Sequence, residues 1–176
     1  MLGCAPLGLS AQKWALKTNL FYDATTTVNL GTEIKTGNKT TLELPFNFNS
    51  WAFSGDKRLK HFLAQPEFRW WTCEPFTGHF FGVHAHYALF NVGGVTPLKI
   101  IRDFRHQGWL AGGGVSYGYN WFLGKRWSLE FTLGVGYAYI DTDRYECGPC
   151  SAKLHSGKYH YFGPTKAGLT LVFMIK

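Results

Sequence analysis

The stretch RWSLEFTLGVGYAYI, residues 126–140, decides the fold. Its odd positions read Trp127, Leu129, Phe131, Leu133, Val135, Tyr137 and Tyr139. The even positions from Arg126 to Ala138 read Arg, Ser, Glu, Thr, Gly, Gly and Ala. Side chains alternate faces along a strand and return every 3.6 residues along a helix, so this run is a strand. It is also long enough to cross a bilayer as one.

The segment before it repeats the pattern, with Trp109, Ala111, Gly113, Val115, Tyr117, Tyr119 and Trp121 on one face. Near the end, Ala167, Leu169, Leu171, Phe173 and Ile175 alternate with Lys166, Gly168, Thr170 and Val172. Weaker alternation marks strands over 13–22, 28–35, 41–49, 62–71 and 79–90, making eight. Composition agrees: the chain is 18% aromatic with 21 glycines, which suits pleated strands better than a helical core.

Short turns follow strands two, four and six: residues 36–39, 74–78 and 123–125. Longer excursions near 50–61, 91–107 and 141–160 follow strands three, five and seven. Loops sorted by length onto opposite ends predict an all-β, eight-stranded antiparallel transmembrane β-barrel, with periplasmic turns and longer extracellular loops. Aromatic residues are expected to form two girdles. Trp14, Trp70, Trp71, Trp121 and Trp127 fall at the turn end, and Tyr22, Trp51, Phe90, Trp109, Tyr139 and Tyr161 at the other.

An eight-stranded barrel has room inside for side chains and little else. The predicted inward set is Lys17, Glu33, Lys35, Glu43, Glu67, Arg69, His84, His86, Glu130 and Lys166. Its four acids and four permanent bases are expected to form a self-neutralising ionic network. The two histidines are expected as satisfied interior side chains.

The opening residues 1–11, MLGCAPLGLSA, resemble the tail of a secretory signal peptide, with the barrel domain over 12–176. Export to the cell outer membrane is therefore expected. The formal charge of +7 has no accompanying nucleic-acid-binding signature, which excludes nucleic acid as the expected partner. Lys57, Arg58, Lys60, Lys99, Arg102 and Arg105 sit in the long loops, where they are expected to face lipopolysaccharide phosphates. Ile100, Ile101 and Phe104 would form one apolar side of a short helix there, a candidate docking surface.

Cys147-Gly-Pro-Cys150 has thioredoxin spacing, but no βαβ pattern surrounds it. The expected reading is a disulfide closing a tight loop. Half of a zinc site, completed by His155 and His160, and a redox centre are the alternatives. Cys73 is expected as an inert, unpaired thiol. Asp141, Asp143 and Glu146 offer oxygen ligands for calcium, though three acids on a solvated loop are ordinary.

WALKTNLFYDATTTVNLG, QPEFRWW, SYGYNWFLGKRWSLE, GYAYIDTDRYECGPC and YFGPTKAGLTL resemble blocks of a family of small Bacteroidetes outer-membrane proteins of unknown function. The resemblance runs from Trp14 to Lys176. It implies an OmpA-type barrel without a peptidoglycan-binding domain, and a place beside fimbrial subunit genes. It implies no catalytic residue. The chain ends Phe173-Met-Ile-Lys176 rather than in the terminal aromatic common among outer-membrane barrels.

The function expected from all this is a non-enzymatic outer-membrane barrel, structural or part of a cell-surface, fimbria-related assembly. No cofactor is expected, and its partners are outer-membrane lipid, lipopolysaccharide and an outer-membrane or fimbrial protein. The alternative is a barrel enzyme acting on lipid A. For that, Ser54 and His61 share one loop, and Ser151, His155, Ser156 and His160 another, without a triad-like neighbourhood.

Overall fold

The computed structural model describes residues 13–52, 58–93, 104–146 and 153–175. Its strands are β1 (Trp14–Asn19), β2 (Val28–Lys35), β3 (Thr40–Ala52), β4 (Arg58–Ala64), β5 (Glu67–Trp71), β6 (Gly78–Gly93), β7 (Phe104–Phe122), β8 (Trp127–Glu146) and β9 (Lys153–Ile175). Every neighbouring pair is antiparallel, and β1 closes the sheet against β9. Strands β4 and β5 both lie between β3 and β6, so together they make one stave of an eight-stranded barrel.

The break between those halves falls at Gln65 and Pro66. Proline has no N–H to give the ladder. The gap is bridged by Gln65 N donating to Pro45 O and Ala85 N donating to Pro66 O.

Cross-strand partners give the barrel's stagger. The path Ile175, Trp14, Ile34, Leu42, Phe68, Val83, Val115, Val135 returns to β9 at Pro164, eleven residues from its start, one of them the bulged Thr165. A stagger of about ten residues over eight strands, at ~3.3 Å per residue and ~4.8 Å between strands, tilts the strands by about 40°.

Burial follows the alternation. On β8, Ser128, Glu130, Thr132, Gly134, Gly136 and Ala138 are buried, while Leu133, Val135 and Tyr137 are exposed. The same inversion holds on every stave: charged and polar groups line the lumen, and large apolar side chains cover the outside.

Several expectations need correction. The first strand ends at Asn19, and residues Leu20–Ala24 form a short helix, α1. The Asn19 side chain caps it by accepting from Phe21 N at 3.1 Å, a local bond that competes with the ladder. The hairpins also continue into three of the long loops. Arg58 and Lys60 therefore lie in β4 and Arg105 in β7, while Lys57, Lys99 and Arg102 lie outside the described residues. So do Cys147, Cys150 and residues 1–11, expected as a leader.

The wall is uneven. Strands β6 to β9 are 16 to 23 residues long, whereas β1 has 6 and β2 has 8. The low side is where α1 sits, against β9.

Candidate functional site

Among the described residues, chemistry is concentrated in the lumen. Arg69, delivered by β5, stands at its centre and is fully buried. Its Nη1 lies 3.0 Å from both Glu33 Oε2 and Glu130 Oε2. Its Nη2 is 2.5 Å from Glu43 Oε2, and its Nε 2.6 Å from Glu67 Oε1. One guanidinium thus bridges carboxylates from four different strands, using the fixed fork of donors that a lysine lacks.

Two lysines complete the network. Lys17 Nζ reaches Glu33 at 2.5 Å, Glu130 at 2.7 Å and Glu43 at 3.3 Å. Lys166 Nζ reaches Glu67 at 2.7 Å and Glu43 at 2.9 Å. Seven of the eight predicted network residues therefore meet. Lys35 does not: its register partner is Thr41, near the end of β2, and it makes no ion pair among the described residues. The cluster holds four carboxylates against three permanent cations.

Below this layer the lumen is closed by an apolar plug that sequence reading missed. Trp71 and Phe80 are fully buried, with ring centroids 4.8 Å apart, and Phe76 packs 6.1 Å from Trp71. Trp71 was expected in the girdle at the turn end. It is the last residue of β5 and points inward, its Nε1 donating to Thr41 Oγ1 at 2.9 Å. The Thr41 hydroxyl in turn donates to Glu33, coupling plug and network.

Phe76 belongs to the β5–β6 turn and has φ +67, a strained value for a non-glycine residue. Asn120 Nδ2 donates to its carbonyl at 2.7 Å, holding the turn folded into the barrel. Gly118 makes room: a Cβ there would stand 2.3 Å from Phe80 Cζ. Arg69 lies over the Phe80 ring at 4.3 Å, so plug and network share a cation–π face.

Toward the loop end, Gln65 spans the lumen to donate to Thr165 O at 3.2 Å. His84 Nε2 is 2.9 Å from Thr165 Oγ1, and His84 Nδ1 is 3.9 Å from Glu67 Oε2. A hydroxyl, an imidazole and a carboxylate in that order have the composition of a catalytic triad. The geometry differs, because 3.9 Å exceeds hydrogen-bond reach and Glu67 is already held by Arg69 and Lys166. A small cleft near α1, lined by Asn19, Tyr22, Asn47, Gln65, Lys166 and Thr170, opens above them. Tyr22 lines it, half-buried, rather than joining an outer girdle.

The other sequence candidates are dispersed. Phe90 sits opposite the inward His61 and is itself half-buried. Lys60 is exposed. His160 is on the outer surface, 2.5 Å from Tyr137 OH. Cys73 is disulfide-bonded, correcting the expected free thiol, and the other three cysteines lie outside the described residues. Among the described residues no three His, Cys, Asp or Glu side chains group as a metal site.

The family model described as "Protein of unknown function (DUF3575)" matches residues 1–175. The chain belongs to this family. No curated protein and no solved structure matches it. DUF3575 membership assigns no chemistry to the lumen, whose role rests on its geometry. In this member, that geometry is a filled interior in which each charged group of the network is held by others of the same cluster.

Proposed function

We propose that the chain is an outer-membrane β-barrel with its short turns in the periplasm, serving as a non-enzymatic envelope protein or a subunit of a cell-surface assembly. The observation that carries this is the inversion of burial. Val28 is 70% exposed, Trp70 64%, Val83 63%, Val115 56%, Phe48 54%, and Leu133 and Val135 52% each, all on the outer face. The interior meanwhile holds an arginine, lysines and glutamates. A water-soluble barrel would strand that apolar belt in water, whereas a bilayer covers it.

Dimensions support the same reading. At a tilt of about 40° an apolar band of ~25 Å takes about ten residues per strand. On β8 the outward apolar residues run from Trp127 to Tyr139, and on β7 from Trp121 to Trp109. Trp14, Trp70, Trp121 and Trp127 are exposed at the turn end, where an interfacial girdle belongs. No helix among the described residues is long and apolar enough to cross a membrane.

The likeness to Bacteroidetes OmpA-type barrels encoded beside fimbrial genes supports the assembly role. The filled lumen favours a scaffold over a pore or a lipid A enzyme. The experiment is fractionation of native cells, with the unheated-versus-heated gel shift of folded barrels. Recovery with outer-membrane markers, resistant to alkaline extraction, is expected. Recovery in a soluble fraction overturns the reading.

A further inference from the structure

Strand β9 is 23 residues long, and only its last part, Thr170–Ile175, pairs with β1. From Lys153 to Leu169 it pairs with β8 on one side and, among the described residues, with no strand on the other. The lower part of this edge is guarded. Helix α1 lies against it, Pro164 lacks an N–H, and the register shift beside it leaves Thr165 bulged, which are devices that blunt strand edges. Above Pro164 the next such guard is a second register shift that leaves Leu154 bulged, so from His155 to Gly163 the edge carries no helix, proline or bulge among the described residues.

We infer that this upper edge, from His155 to Gly163, is a docking site for an extended, acidic strand of a partner polypeptide, added antiparallel to β9. An unpaired row of backbone N–H and C=O groups supplies affinity in strand addition, and side chains on the two faces supply selectivity. Both faces are open here. The outer face presents Phe162, 82% exposed, with His160 and Lys158. The inner face presents Tyr159 and Tyr161, 53% and 41% exposed, because the low β1–β2 wall leaves them uncovered.

Strand β9 contains no Asp or Glu, so its charge is cationic throughout. The fitting partner therefore alternates acidic residues beside Lys158 and His160 with apolar ones beside Tyr159 and Tyr161. A second copy fits poorly, since self-pairing joins two edges that each carry Lys158 and no acid to answer it. The inference needs only the sheet's edge, and holds whether or not the barrel resides in an outer membrane.

The test is amide hydrogen exchange on the full chain in detergent, with the peptide EVEFEVEFE as probe. At ten times its dissociation constant it slows every second amide from Lys158 to Phe162 about tenfold. The same peptide N-methylated at alternate residues, in either register, leaves them unchanged. KVKFKVKFK binds at least tenfold more weakly, and Lys158→Glu reverses that order without touching the backbone. Absent or uniform slowing overturns the inference, as does equal action by the N-methylated peptides. If the same amides slow with protein concentration alone, the occupant is a second copy and the acidic-strand assignment fails.

Discussion

Replacing Arg69 by Met should be the most damaging conservative change in the barrel. The methionine fills much of the volume, so the loss is electrostatic rather than a cavity. Glu33, Glu43, Glu67 and Glu130 would keep only Lys17 and Lys166, moving the cluster from one uncompensated negative charge to two. Breaking a buried ion pair from one side costs about 3–5 kcal/mol, because the stranded charge stays desolvated. Here one cation serves four carboxylates, so a loss near 5 kcal/mol is expected, comparable to the whole stability of many domains. Urea titration of the refolded barrel, read by tryptophan fluorescence and gel mobility, measures it. The variant Arg69→Met with Glu43→Gln and Glu67→Gln removes two of the stranded charges and should recover about half of the loss. It also keeps the experiment informative if the single variant does not fold. A single variant within about 1 kcal/mol of the parent would refute the idea that the network holds the staves together.

Phe76→Ala empties part of the plug and should cost about 3 kcal/mol in the same titration, with no relief of the positive φ because alanine keeps its Cβ. Trp71→Phe keeps a six-membered ring but loses the bond to Thr41 and part of the plug's volume, and should cost about 2 kcal/mol. Gly112→Ala places a Cβ 2.0 Å from Tyr137 O and 2.7 Å from His86 Nε2, so β7 and β8 must separate; a loss of about 1–3 kcal/mol or failure to refold is expected. Val135→Arg, on the outer face near mid-band, should destabilise the barrel by about 2–4 kcal/mol in lipid vesicles. A barrel that lives in water would accept that last change within about 0.5 kcal/mol, so it separates the two environments.

The alternation of side chains along β3, β5, β7, β8 and the end of β9 is a local property of the chain, set by the two-residue repeat of an extended backbone. The sequence by itself therefore determined the strand class, the stave count and the polar inward face, including seven of the eight network charges. It could not show that residues 71 and 76 turn into the lumen, because an aromatic at a strand end reads the same whether it faces lipid or a plug. It could not show α1 either, where one Asn19 capping bond outweighs the strand pattern of Leu20 and Tyr22. Closure decided the rest. Lys17 meets Glu130 across 113 residues only because β1 docks on β9, and the same docking, ending at Asn19 and Thr170, leaves the long edge of β9 open. Pairings of that kind depend on stagger and on where each strand stops, which are properties of the closed sheet and of no segment within it.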